Sequence, residues 1–189
     1  MRKIGIYGGS FDPIHHAHLI LAREAREQLG LEKVIFVPAA VSPFKDLPAA
    51  SAEMRLSMLQ TAVEDETGLV VDDCELRRQP PSYSIDTVEE IRKREGTETE
   101  FYYLVGEDNV SELGRWHRFA ELEKMVRFVV LDRTGTKVTH SYQTVTRKID
   151  ISATEIRKRV ASARSIRYFV PSAVEEIIRR GNLYREQVK

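Results

Sequence analysis

One cysteine, Cys74, occurs in 189 residues, so no disulfide can close within the chain. Its neighbours Asp73 and Glu75 favour the protonated thiol, and no second cysteine offers a metal or redox partner, which leaves Cys74 a structural role. Long apolar runs are also missing: the amino-terminal MRKIGIYGG is too short for a signal peptide or a membrane span. Net charge is absent as well. Lys plus Arg and Asp plus Glu number 29 each, so no global field draws in nucleic acid or an anionic membrane, and any affinity for anions must be local. Neither internal repeats nor low-complexity linkers interrupt the chain. A soluble cytosolic protein follows as the expectation, one domain over residues 1–189, with a homo-oligomer left open.

What is present is an alternation. KIGIY (3–7), KVIFVP (33–38), LVVDD (69–73), EFYYLVG (100–106) and VRFVVLD (126–132) are short runs of β-branched and aromatic residues, mostly ended by Gly, Pro or Asp, and predict buried strands. Helical spacing lies between them. Leu19, Ala22, Ala25 and Leu29 precede Gly30; Met54, Met58, Leu59, Ala62 and Val63 follow a Ser51 cap; Ile85, Val88 and Ile91 precede Gly96. Strand and helix in turn predict an α/β fold, a doubly wound (Rossmann-like) parallel sheet with right-handed crossovers and helices on both faces. A helical segment closes the chain: ISATEIRKRVASA places Ser152 and Glu155 in capping-box spacing, and PSAVEEIIRRGN runs from Pro171 to a stop at Gly181. AAVSPFKDLPAAS (39–51) and TGTKVTHSYQTV (134–145) read as irregular.

The stretch GIYGGSFDPIHHAH (5–18) carries the chemistry. Gly8 and Gly9 follow the first strand, where a chain turning over the sheet edge needs positive φ or room for a ligand against bare backbone. Neither G-x-G-x-x-G nor G-x-x-x-x-G-K-[ST] occurs, which disfavours a dehydrogenase and a P-loop protein. Pro13 biases Asp12 away from helix, and the next helix picks up around His16 to Leu19. His15 and His18 then share one side of its first turn, where free amides and the helix dipole favour an anion and imidazoles can donate to its oxygens. The pattern describes a phosphate site. The plain alternative is an exposed turn that happens to hold histidines. Zinc ligation is disfavoured because no cysteine lies near and a third ligand would come from afar.

GGSFDPIHHAH resembles the G-G-[ST]-F-D-P-x-H-x-G-H signature of the nucleotidyltransferase superfamily, with Ala17 where that signature has Gly. ISATEIR (151–157) is similar to its I-S-[ST]-T-x-[IV]-R motif, with Ala153 as the departure. Over nearly the whole chain, SYSIDT (82–87), LVGEDNVSELGRWHRFAEL (104–122), LDRTG (131–135) and YFVPSAVEEIIRRGNLY (168–184) resemble the bacterial nicotinate-nucleotide adenylyltransferase family.

The resemblance implies a reaction: nicotinate mononucleotide and ATP, with Mg²⁺, give deamido-NAD and pyrophosphate, with no dedicated protein metal site. It further implies that Gly8, Gly9, Ser10, Phe11, His15 and His18, with Gly106, Asp108, Ile151, Ser152 and Arg157, bind ATP, and that His15, His18 and Arg157 are catalytic. Lys45 of SPFKD, Ser84, Ile85, Trp116, His117 and Arg133 are the implied contacts to the nicotinate nucleotide, Trp116 by stacking on the pyridine. Phe44 stands where the family loop has His, and His117 where an aromatic is usual. Core packing for Trp116, simple capping for Ser152 and solvated surface positions for Lys45 and Arg133 are the plain readings of those residues. Two rival functions remain: adenylyl transfer to pantetheine phosphate, and regulatory ATP binding without catalysis.

Overall fold

A computed structural model describes residues 1–40, 48–96, 98–135 and 139–185. Among the described residues, six strands form one parallel sheet: β1 (Arg2–Gly9), β2 (Lys33–Pro38), β3 (Leu69–Val71), β4 (Thr99–Gly106), β5 (Arg127–Asp132) and β6 (Gln143–Thr146). Their order is β3-β2-β1-β4-β5-β6, and every pairing is parallel. Strand order reverses between β1 and β4. The crevice at such a reversal, beyond the carboxyl ends of the strands, is where open α/β sheets bind ligands.

The helices of the described residues cover the two faces: α1 (His16–Leu29), α2 (Ala52–Val63), α3 (Cys74–Arg77), α4 (Ser84–Glu95), α5 (Phe119–Met125), α6 (Ala153–Ala161) and α7 (Ser172–Arg180), with a 3₁₀ segment over Glu107–Arg115. Alternate residues of β1, β2, β4 and β5 go to opposite cores. Val34, Phe36, Leu104, Val129 and Leu131 pack with Leu21 and Ala22 of α1, Met58 and Leu59 of α2, Ile156 of α6 and Val174 and Ile178 of α7. Ile4, Ile6, Ile35, Val37, Tyr103, Val105 and Val130 pack with Ile85, Val88 and Ile91 of α4 and Leu122 of α5. Burial on both faces explains why the strands read as continuous apolar runs.

Local signals fix the helix ends. Gly30 closes α1 in the left-handed region at φ 64°. The Ser51 hydroxyl accepts the Met54 N–H at 3.3 Å to open α2, and Ser152 accepts the Glu155 N–H at 3.1 Å to open α6. Two expectations need correction. The stretch 134–145 is not irregular throughout, because Gln143–Thr146 pairs with β5 as a sixth strand. Gly8 and Gly9 are the last residues of β1 and neither has positive φ. Space is what they supply: a Cβ on Gly8 would lie 2.7 Å from the Tyr103 hydroxyl oxygen, and one on Gly9 3.0 Å from the Phe11 ring. Among the described residues no helix is long and apolar enough to cross a membrane.

Candidate active site

The chain leaves β1 at Gly9 and enters α1 at His16, and the loop between is held from three directions. From α2, Arg55 Nη1 donates to the Ser10 carbonyl at 2.8 Å. From α6, Arg157 Nη1 donates to the Asp12 carbonyl at 2.7 Å, which joins the two motifs through residues 145 apart in the chain. Asp12 is 5 % exposed, and its carboxylate accepts the Ala49 N–H at 2.7 Å, the Ala50 N–H at 3.1 Å and the Tyr184 hydroxyl at 2.7 Å. The carboxyl-terminal tyrosine is thereby tied to the loop. Burial, then Asp12, push the Tyr184 phenol pKa upward, so it stays a neutral donor.

His15 caps α1, and its backbone N–H donates to His18 Nδ1 at 3.3 Å. The two imidazoles stack at 3.7 Å between centroids, 19° apart, so His15 and His18 do share one side of the first turn. Phe11 packs edge-on against His18 at 5.1 Å. His15 is 3 % exposed, and its Nδ1 has no hydrogen-bond partner among the described residues. Burial, then the Arg133 charge, push its pKa down to about 3, which makes it a neutral imidazole at ordinary pH. A neutral ring still donates through one N–H. Ala17 is buried at 1 % exposure, so its methyl is taken up by the interior and not by the open side of the turn.

Arg133 follows β5 and donates to the Ile151 carbonyl at 2.9 Å, one residue before the cap of α6. Its charge falls on His15 and Tyr7, and that of Asp108 also falls on Tyr7. Asp108 lies against Gly106, where a Cβ would meet its Oδ1 at 2.7 Å. The loop 8–11, His15, His18, Asp108, Arg133, Ile151, Ser152 and Arg157 therefore gather at the carboxyl ends of β1, β4 and β5. Arg133, expected on the nicotinate side, sits with the histidine cluster through these contacts.

The other expected contacts lie around the opening of α4. Tyr103 donates its hydroxyl to Ser84 Oγ at 3.0 Å and meets Trp116 edge-on at 5.7 Å, while the same hydroxyl fills the space under Gly8. One buried phenol thus touches both halves of the crevice. Ile85 is fully buried, so only its backbone can face a ligand. Trp116 is half-buried and also packs edge-on to Phe128 at 6.3 Å, a core contact that leaves part of the indole accessible. His117 is exposed and stacks on Tyr83 at 4.2 Å, 29° apart. Lys45 and Phe44 lie outside the described residues.

Sequence reasoning did not single out Asp12, Arg55, Tyr103 or Tyr184 as site residues. A signal existed for Arg55: it falls in the apolar stripe with Met58, Leu59 and Ala62, where a guanidinium is out of place unless it has a partner.

The cytidylyltransferase-like family model matches residues 6–159. A protein of Exiguobacterium sibiricum named "Probable nicotinate-nucleotide adenylyltransferase" is 40 % identical over 187 residues, covering 96 % of this chain and 98 % of that one. One of the same name from Bacillus pumilus is 37 % identical, covering 97 % and 99 %. In fold the chain is similar to the Plasmodium falciparum nicotinic acid mononucleotide adenylyltransferase complexed with NaAD, at a TM-score of 0.84, 19 % identity and full coverage of both chains. The complex of that enzyme with APC gives a TM-score of 0.80 at the same identity and coverage. With the β1–α1 loop, the paired histidines and an α6 arginine meeting at the strand-order reversal, and relatives this similar end to end, the chain belongs to the nicotinate-nucleotide adenylyltransferase family within the cytidylyltransferase-like proteins.

Proposed function

We propose that this protein joins the AMP moiety of ATP to nicotinate mononucleotide, giving deamido-NAD and pyrophosphate, in the cytoplasm. The observation that carries this reading is the convergence of His15, His18 and Arg157 on one loop, since those groups together suit phosphoryl charge better than simple nucleotide retention.

In the reaction, a phosphate oxygen of nicotinate mononucleotide attacks the α-phosphorus of ATP. The bond from that phosphorus to the bridging oxygen breaks, and pyrophosphate leaves with the electron pair. The protein need form no covalent bond, because positioning and charge neutralisation supply the rate. His18 and neutral His15 donate to phosphate oxygens. Arg157 and the amides opening α6, at the Ser152 cap, hold the departing pyrophosphate. The Gly8–Phe11 backbone lines the phosphates, with Gly106 and Asp108 on the nucleoside side. Ser84, the Ile85 backbone, Trp116 and His117 take the pyridine nucleotide; Lys45 and Arg133 neutralise its phosphate. Mg²⁺ would enter with ATP as part of the substrate and would supply charge neutralisation on its phosphates beside His15, His18 and Arg157.

The test is pyrophosphate release with MgATP and, in parallel, nicotinate mononucleotide, nicotinamide mononucleotide or pantetheine phosphate. Release that strongly favours the first is expected. Release with pantetheine phosphate alone overturns the acceptor, and release with none overturns catalysis. Replacing Trp116 by Ala should raise KM for the pyridine nucleotide and leave that for ATP nearly unchanged; equal rises would assign Trp116 to the core.

A further inference from the structure

Arg55 is 1 % exposed, which places it among the most buried of the large side chains. A guanidinium is not buried without cost, and burial lowers its pKa against the pull of nearby Asp12. Its Nε has no hydrogen-bond partner among the described residues. The contact it does make is to the phosphate loop, at the Ser10 carbonyl.

That contact fixes more than a carbonyl. A trans peptide is planar, so the Ser10 C=O and the Phe11 N–H point in opposite directions. With the oxygen drawn inward to Arg55, the N–H faces away from α2. Among the described residues, no backbone or side-chain acceptor takes the Phe11 N–H. Phe11 itself holds φ 46°, in the left-handed region that a residue with a side chain rarely adopts. Two features hold it there. Its ring is buried at 2 % exposure between Tyr7, Phe36 and His18, and the Arg55 bond anchors the peptide before it. The neighbouring Asp12 carbonyl is held in the same way by Arg157, so each side of Phe11 is pinned by an arginine.

We propose that Arg55 is a positioning residue for the ATP phosphates: by holding the Ser10 carbonyl inward, it keeps the Phe11 N–H turned outward as a backbone donor to a phosphate oxygen. This rests on the ATP-site reading above and adds to it a residue that touches no substrate. Loss of one hydrogen bond to a charged acceptor corresponds to roughly ten- to a hundred-fold in affinity. Arg55→Met should therefore raise KM for MgATP by about that factor and change KM for nicotinate mononucleotide less than about twofold. Arg55→Lys, which keeps a charged donor, should recover part of the loss.

Because Arg55→Met also removes a buried partner and could unfold, the conservative Arg55→Lys and a binding readout referenced to the wild-type protein keep the proposal testable. In the wild-type protein labelled with ¹⁵N, the Phe11 amide resonance should shift strongly downfield on titration with MgATP, and also with inorganic tripolyphosphate alone. Arg55→Lys should keep that shift and folded Arg55→Met should lose it. A Phe11 amide that does not move at saturating MgATP overturns the proposal, as does an Arg55→Met enzyme whose two KM values rise together while the shift survives. The titration reads ATP binding without turnover, so it stays informative if the acceptor proves to be something other than nicotinate mononucleotide.

Discussion

Replacing Asp12 by Asn tests whether the loop is held as described, because the change keeps the shape and removes charge and one acceptor. Asp12 Oδ2 takes the Ala49 N–H, and Oδ1 takes both the Ala50 N–H and the Tyr184 hydroxyl. An amide offers one oxygen. If that oxygen sits at the Oδ1 position, its NH₂ confronts the Ala49 N–H; if it sits at Oδ2, two donors lose their acceptor. A bond to a charged group contributes about 1.5–3 kcal/mol, and the Arg55 and Arg157 charges lose a buried counter-charge as well. The expected cost is about 3–5 kcal/mol, a large share of an ordinary domain's stability. Tyr184→Phe removes one of the three bonds and should cost about 1–3 kcal/mol. Urea unfolding followed by far-ultraviolet circular dichroism measures both, and a lower midpoint with an unchanged slope isolates stability. A loss under about 1 kcal/mol for Asp12→Asn would refute the picture of a buried carboxylate holding three donors.

Three further predictions concern the crevice. His18→Ala should lower turnover by on the order of 10²–10³ with a far smaller change in ATP affinity, as for one preorganised transition-state donor; unchanged turnover in a folded variant ends that assignment. His15 has its pKa depressed in the folded state, from 6.5 to about 3, so the unfolded chain binds the extra proton between those values. Its contribution makes stability fall with falling pH through that window, by up to about 1.4 kcal/mol per unit. The urea midpoint of the wild type should therefore fall relative to that of His15→Gln as pH drops from 7 to 4, and parallel curves would contradict a buried neutral imidazole. Gly8→Ala should destabilise by about 1–3 kcal/mol through its contact with the Tyr103 hydroxyl. Combining it with Tyr103→Phe should cost less than the two changes summed, and strict additivity in a double-mutant cycle would place the clash elsewhere.

The central fold was legible because its signals are local. Four strands, β1, β2, β4 and β5, are buried on both faces and read as apolar runs, and Ser51, Ser152, Gly30 and Gly96 mark helix ends through chemistry confined to a few residues. The sixth strand lacked that signal: of Gln143–Thr146 only Val145 is buried, so an edge strand looks like a polar loop. The third run was read two residues too long, because Asp72 leaves the sheet to accept the Cys74 N–H at 3.0 Å and α3 starts there. In the crevice, the histidines and the α6 arginine were visible as motifs. Asp12, Arg55, Tyr103 and Tyr184 were not, since each acts on a partner between 19 and 172 residues away and only the folded chain brings them together.

The most direct measurement is the stereochemical course of transfer from ATP carrying a chiral α-thiophosphate to nicotinate mononucleotide, with the dinucleotide product isolated. Formation of that dinucleotide with inversion at the α-phosphorus is the predicted result, because a single in-line displacement reverses the configuration. Retention would require two displacements and a covalent intermediate on the protein, and absence of the dinucleotide would contradict adenylyl transfer to this acceptor.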